Sequence, residues 1–348
     1  MAASIHVVGA GNLGATVASA LGSIVRPPVV TLILRNQERL AQYVQNDQVL
    51  TVIKQGQGPN RKTIPAVVAG VAEGRDMQIA NLVVGTKVPQ TIPALTKLAP
   101  LMGRDTNVLF LQNGMGLYEK LCEQIWTNPS VRPNLIFSTS THGVKTVLDT
   151  PFTYNHSGIG DLKVSLIPRD SSDKTEENPL VKLLVDTDLN TVPLPYSEFF
   201  IAQFEKLVVN SCMNAISAVF TAYNSELLQL AGLDEFLFNI ISENINVFKT
   251  HIARAEIPIS IPQNRLDEYY FNVKANIDHI KFLINQNATS TTSMVQDIEA
   301  LRDTEIDNIN GYIVSLAKQY DIPTPYNQIF ISLVKSKLSL KRFRRGQA

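Results

Sequence analysis

Three side chains on one predicted helix could hold a polar ligand. The run Gln203–Glu226, QFEKLVVNSCMNAISAVFTAYNSE, places Lys206, Asn210 and Asn214 at four-residue intervals in an otherwise apolar stretch. Four residues of α-helix turn about 400°, so successive members drift only about 40° around the axis. The three form a narrow polar stripe, roughly 12 Å long at about 1.5 Å rise per residue. Asparagine has mediocre helix propensity, and a lysine among apolar neighbours is costly to desolvate. A solvated helix face would normally carry several charges. Lys206 is the only charged residue between Glu205 and Glu226, so the stripe reads as a ligand site of one ammonium and two amides.

A second constellation sits at the start of the chain. Ser4–Val8 reads as a buried strand and Ala15–Leu21 as a helix, with Gly9, Ala10, Gly11, Asn12, Leu13 and Gly14 between them. Gly-x-Gly-x-x-Gly in that context is a dinucleotide fingerprint. Gly9 permits the tight turn, Gly11 lets a pyrophosphate approach the backbone, and Gly14 lets helix and strand pack closely. The helix N-terminus supplies unpaired N–H groups and a positive dipole end to the phosphates. The next strand, Val29–Leu34, ends at Arg35, with Arg39 one helical turn on. An NAD site usually carries a carboxylate here to bind the ribose hydroxyls. A guanidinium binds a 2′-phosphate instead, so the expected cofactor is NADPH. Glu38 lies nearby and would point away if the chain is helical from Asn36. Two further predicted strands, Asn81–Thr86 and Asn107–Leu111, lead into Lys87 and Asn113, at the strand ends where ligands sit in doubly wound sheets. Gly114 and Gly116 would allow close backbone approach there.

These sites need two kinds of scaffold. A chain of 348 residues normally splits into domains. Strands at Val49–Ile53 and Thr63–Val68, around a turn at Gln55–Asn60, and at Leu135–Thr141, Thr153–His156 and Leu162–Ile167 extend the first pattern. Arg169–Asn178 reads as a solvated charged loop. From Ser197 the pattern is helical, with apolar spacing over Glu235–Ala255, Arg265–Asn285, Met294–Gln319 and Asn327–Leu340. The expected architecture is an α/β Rossmann-like dinucleotide-binding domain over residues 1–195, followed by an all-α domain over 196–348. Ser293 with Gln296 forms a capping box, and a capped helix start can also hold an anion. The basic tail Lys335–Arg345 reads as the solvated end of a helix.

Equal numbers of basic and acidic residues, 31 each, give no bulk bias towards nucleic acid or membrane. Two unpaired-looking cysteines, Cys122 and Cys212, and five scattered histidines argue against a disulfide framework or a metal site. With a strand beginning at Ser4 and no long apolar run, the expectation is a cytoplasmic protein without a membrane span or presequence.

Taken together, these residues resemble the ketopantoate reductase (2-dehydropantoate 2-reductase) family over nearly the whole chain. The resemblance is carried by VVGAGNLG at Val7–Gly14, LILR ending at Arg35, GTK at Lys87 and QNGMG at Gln112–Gly116. STSTHG at Ser138–Gly143, EKLVVNSCMNAISA at Glu205–Ala218, TTSMVQDIEALRDTEIDNINGYI at Thr291–Ile313 and PTPYN at Pro323–Asn327 complete it. It implies NADPH-dependent reduction of 2-dehydropantoate to pantoate in pantothenate biosynthesis, by a monomer or homodimer. Lys206 would be the general acid and Glu305 would position substrate and lysine. Asn113, Asn210 and Ser293 would contact substrate, with Asn214 and Asn224 in supporting polar roles. Lys87, Asn113 and Glu305 would also meet the cofactor, and Arg35 its 2′-phosphate. Composition alone does not single out Glu305. A same-fold reductase of another 2-oxo acid, or a non-catalytic member used for binding or regulation, is the alternative.

The Arg35 reading makes a direct prediction. NADPH should bind more tightly than NADH, and Arg35→Ala should narrow the gap by about 1.5–3 kcal/mol, the range for a charged hydrogen bond. Fluorescence titration of both cofactors checks it; equal affinities in the unaltered protein would remove the assignment.

Overall fold

The computed structural model describes residues 3–68, 78–170, 172–255 and 257–346. Backbone contacts divide the chain into two compact units, Met1–Gln112 with Leu117–Phe199, and Asn113–Gly116 with Phe200–Ala348.

In the first unit the strands are β1 (Ser4–Val8), β2 (Val29–Leu34), β3 (Val49–Lys54), β4 (Pro59–Thr63), β5 (Ala66–Val68) and β6 (Asn81–Val84). They continue with β7 (Asn107–Phe110), β8 (Asn134–Ser140), β9 (Gly143–Thr146), β10 (Thr153–Gly158), β11 (Leu162–Leu166) and β12 (Thr191–Pro193). The helices α1 (Asn12–Leu21), α2 (Gln37–Gln45), α3 (Val88–Leu98), α4 (Leu117–Gln124) and α5 (Pro179–Val185) connect them. One sheet runs β12-β11-β8-β7-β6-β1-β2-β5. It is parallel from β5 through β8, while β11 runs antiparallel to β8. Its central strands β6 and β7 are buried at every position, which is why they read as continuous apolar runs rather than alternating ones. Ile5, Val7, Leu32, Leu109 and Ile136 form the core around it.

A smaller sheet, β4-β3-β10-β9, pairs β10 parallel to β3 and antiparallel to β9. Thr63–Val68, expected as one strand, is two. β4 ends at Thr63 in the small sheet and β5 begins at Ala66 in the large one. Pro65, between them, has no N–H to continue a ladder. The loop Arg169–Asn178 is charged, but its last residue is buried. Asn178 Oδ1 accepts from the Leu180 and Val181 amides at the start of α5, and Nδ2 donates to Asn107 Oδ1 at 2.7 Å. Two histidines distant in sequence also meet. His156 Nε2 lies 3.0 Å from His142 Nδ1, and burial holds the His156 pKa below its ordinary value.

The second unit is built of α6 (Tyr196–Phe220), α7 (Asn224–Leu227), α8 (Leu233–Arg254), α9 (Gln263–Arg265), α10 (Val273–Gln286), α11 (Ser293–Glu299), α12 (Asn310–Gln319) and α13 (Pro325–Arg344). The first four residues of α6 belong with the first unit. Two expected helices are broken. The stretch ending at Glu226 stops at Phe220, where Thr221 takes a φ of 53°, and Asn224 starts a separate turn. Met294–Gln319 divides after Glu299. Leu301 adopts φ 56°, and a 3₁₀ turn, Ile306–Asn308, precedes α12.

A buried polar network ties four helices together. Asn310 donates to the Ser211 carbonyl and to Asn327 Oδ1, both at 3.0 Å. Asn244 donates to Ser211 Oγ at 2.7 Å and accepts from Asn327. The Glu243 carboxylate receives the Tyr326 and Asn327 backbone N–H groups and the Asn327 side chain, at 2.8, 3.0 and 2.7 Å. A carboxylate from α8 thus satisfies the unpaired N–H groups at the start of α13, where it also meets the positive dipole end. Glu243→Ala should orphan these buried donors, at about 1–3 kcal/mol for each left unsatisfied. The urea midpoint should fall well below that of the unaltered protein with little change in slope. An unchanged midpoint would show that the network adds no stability.

Candidate functional site

In the first unit the glycine loop lies between β1 and α1, beside the carboxyl ends of β2 and β6. Its turn is packed backbone against backbone. Gly9 has φ +91°, and a Cβ on Gly14 would lie 2.1 Å from the Gly9 carbonyl oxygen. Gly85, at the end of β6, closes on the same oxygen. Gly11 differs. Its φ of −86° suits any residue, and an added Cβ would meet nothing nearer than Gly85 O at 3.8 Å. The protein's own packing does not demand glycine there, but a pyrophosphate lying on the backbone would. No side chain caps α1 and no acidic residue stands in its first turn, so its N–H groups face that space unopposed. These residues fit a dinucleotide.

The loop is buttressed by the small sheet. Asn12 Nδ2 donates to Val144 O at 2.9 Å, Thr146 Oγ1 donates to Asn12 Oδ1 at 2.8 Å, and the Tyr154 hydroxyl donates to Ala10 O at 2.5 Å. The Asn12 side-chain amide is thus committed to β9. Arg35 is exposed just beyond β2, and Asn36 caps α2 rather than joining it, accepting from Arg39 N at 2.9 Å. Arg39 is drawn away. Its guanidinium stacks 4.0 Å over the Phe152 ring and donates to Gln42. Glu38 is exposed and accepts from Gln42. Lys87 is half-buried at the cap of α3, next to a Thr86–Thr91–Gln112 hydroxyl and amide chain.

In the second unit Lys206 Nζ donates to Asn113 Oδ1 at 2.9 Å, and Asn113 Nδ2 donates to Glu305 Oε2 at 3.3 Å. Residues 93 and 192 apart in sequence thus form one line of ammonium, amide and carboxylate. Burial pulls the Lys206 pKa down to about 8, against the opposing pull of the Glu305 charge. Asn210 follows one turn later, half-buried, and Asn214 is buried. Asn224, on α7, donates to Asn287 O at 3.0 Å while its amide receives no bond at a buried Oδ1. With its backbone N–H on Ser290 O, it fixes the loop that leads to α11.

Ser293 is exposed in the first turn of α11, and the cap is Thr292, not Ser293. Thr292 Oγ1 accepts from Val295 N and pairs with Ser217 Oγ on α6 at 2.8 Å, which frees the Ser293 hydroxyl from capping. Gly114 and Gly116 serve the protein's own packing. Gly114 has φ +87°, and a Cβ there would fall 2.3 Å from the Asn308 carbonyl; at Gly116 it would strike the Tyr312 ring at 2.6 Å. Met115 N–H donates to that same Asn308 carbonyl, which seats the Asn113 loop on the 3₁₀ turn beside Glu305.

A glycine-loop α/β unit followed by a helical unit that links a lysine to a carboxylate through Asn113 has the plan of an oxidoreductase of the dinucleotide-binding class. Residues 5–169 match the family "Ketopantoate reductase PanE/ApbA" and residues 199–338 match "Ketopantoate reductase PanE/ApbA C terminal". The chain belongs to the ketopantoate reductase family. It is 31% identical to the probable 2-dehydropantoate 2-reductase of Schizosaccharomyces pombe, over 98% of each chain. It is 25% identical to the cytochrome B translational activator CBS2 of Saccharomyces cerevisiae, over 89% of this chain and 88% of that one. Among solved structures, D-mandelate dehydrogenase with NADH and anilino(oxo)acetate shares the fold with a TM-score of 0.79 and 22% identity, over 97% of this chain and 99% of that one.

Among the described residues no helix is long and apolar enough to cross a membrane, and no group of three or more His, Cys, Asp or Glu could hold a metal.

Lys206 should titrate near 8 in the folded protein, protonated below and neutral above. Glu305→Gln removes the charge that favours the ammonium, so the titration should move to lower pH. Side-chain NMR of selectively labelled lysine measures both; a lysine that titrates at its ordinary value would overturn the electrostatic picture.

Proposed function

We propose that the protein reduces 2-dehydropantoate to pantoate with NADPH, and that the Lys206–Asn113–Glu305 line performs the proton transfer. That line is the observation that carries the reading. A bound NADPH supplies the hydride to the substrate carbonyl carbon. The loop Gly9–Gly14 would hold its pyrophosphate, Arg35 its 2′-phosphate, and Lys87, Asn113 and Glu305 its nicotinamide-ribose side.

The second unit's residues then handle the proton. The Lys206 ammonium donates a hydrogen bond to the ketone oxygen and stabilises the negative charge that develops there. As the C–H bond forms, a Lys206 N–H bond breaks and the alcohol O–H forms, leaving a neutral amine. A general acid works best with a pKa near the operating pH, and burial brings Lys206 to about 8. Glu305 keeps the ammonium charged and, through Asn113, oriented. Asn210 would take the substrate hydroxyl, and Ser293 would contact the substrate from the first turn of α11. Asn214 and Asn224 support those positions.

A second reading follows from the translational activator among the relatives, a protein 25% identical to this chain whose name is not an enzyme's. The intact Lys206, Asn113, Asn210 and Glu305 favour catalysis. Oxidation of NADPH with a panel of 2-oxo acids separates the readings. Turnover should be fastest with 2-dehydropantoate; preference for another acid moves the substrate, and no turnover with any moves the protein to the binding class. In the same assay Lys206→Ala should lower kcat by roughly 10²–10⁴, the usual loss for a general acid. NADPH affinity should stay nearly unchanged.

A further inference from the structure

Glu305 sits on a stretch with no regular structure of its own until the 3₁₀ turn at Ile306, so something else must fix it. Leu301 takes φ 56°, a left-handed conformation unfavourable for a residue with a side chain. Arg302 turns away onto the buried carboxylate of Asp297, with Nε donating to Oδ1 at 3.0 Å.

The hold comes from the basic end of α13. Arg342 Nε and Nη2 both donate to the Leu301 carbonyl, at 3.2 and 2.9 Å, and Nη2 also donates to Asp303 Oδ1 at 2.8 Å. Lys341 pairs with Glu299 before the break, and Lys335 pairs with Asp307 after it at 2.7 Å. Lys337 donates to the Val219 carbonyl at 2.5 Å, anchoring α13 to the end of α6. The exposed ion pairs contribute little by themselves. The forked, part-buried grip on the Leu301 carbonyl is different, because it fixes the backbone four residues before Glu305, and a lysine has no planar fork to reproduce it.

We propose that Arg342 is a positioning residue for the reaction, holding the Leu301–Asp303 backbone so that Glu305 meets Asn113 and, through it, Lys206. This rests on the proton-transfer reading above. The charged groups around the segment are Glu299, Asp303, Glu305 and Asp307 on it, Lys335, Lys337, Lys341 and Arg342 on α13, and the Arg302–Asp297 pair. Glu305 is the charge that acts on Lys206.

The test compares the full-length protein with Arg342→Ala, Arg342→Lys, Glu305→Gln and the Arg342→Ala/Glu305→Gln double variant. Each is followed in the alkaline limb of kcat for 2-dehydropantoate with NADPH, in the Lys206 NMR titration, and in Tm. Arg342→Ala should lower kcat roughly 2- to 30-fold, the range for a residue acting through others. It should move limb and titration to lower pH in the direction of Glu305→Gln, because a displaced carboxylate no longer favours the ammonium. The double variant should move no further than Glu305→Gln alone. Arg342→Lys, which keeps the charge but not the fork, should fall between; if Arg342→Ala fails to fold, it carries the comparison. A shift with Glu305→Gln but none with Arg342→Ala or Arg342→Lys, whatever their Tm, makes Arg342 merely structural and overturns the proposal. No shift with Glu305→Gln overturns the Lys206–Glu305 reading itself, and Arg342's role with it.

Discussion

An ammonium group set among hydrocarbon is unstable as an ion unless a carboxylate and an oriented dipole accompany it. That requirement at Lys206 governs how the second unit is put together. The carboxylate next to the lysine in sequence, Glu205, lies 3.7 Å from His279 Nε2, and the charge that acts on Lys206 is that of Glu305. Glu305 has to be delivered from elsewhere in the chain, and a continuous helix over Met294–Gln319 would not do it. The break after Glu299 and the 3₁₀ turn before α12 present the carboxylate, and Asn113 spans the remaining distance with one acceptor and one donor. Each device carries a local cost, a left-handed leucine or a glycine pressed against a carbonyl. The buried Ser211–Asn244–Asn310–Asn327 network holds α6 against its neighbours while these are met.

The first unit solves a different problem by a similar route. A phosphate can approach a helix N-terminus only if the preceding turn carries no side chains in the way. Packing Gly9, Gly14 and Gly85 backbone to backbone closes the turn, and Gly11 is left facing open space. Such a turn has few side chains with which to stiffen itself. The small sheet supplies that stiffness, through Tyr154 on the Ala10 carbonyl and through Val144 and Thr146 on Asn12. The four-stranded sheet thus braces the loop.

Membership of the ketopantoate reductase family does not by itself assign the chemistry, because a fold can be kept while its site is lost. A translational activator with similar coverage stands among the relatives. What the structure adds is a lysine whose pKa burial lowers to about 8 and the Glu305 charge raises, a combination that costs stability.

The features legible in the sequence were those whose cause is local. The glycine loop is a strand, a turn and a helix in immediate succession, and Gly9 and Gly14 each have a packing reason within a few residues or one strand away. The Lys206–Asn210–Asn214 stripe follows from helical periodicity alone, and Arg35 from its place at a strand end. The boundaries went astray where distant partners decide: Thr63–Val68 was divided between two sheets, Thr292 took the cap through α6, and Thr221 ended a helix that periodicity would have continued. The glycines at 114 and 116 looked like room for a ligand and proved to be room for Asn308 and Tyr312. Glu305 was one charge in a charged run, and residues alone could not separate it from Asp303 or Asp307. Its place in the line with Asn113 and Lys206 depends on those two residues and on the backbone break, none of them nearby in sequence except the break. Local order thus specified which groups the protein carries. Only the long-range packing decided which of them meet, because a carboxylate's effect on an ammonium depends on their separation in space and not along the chain.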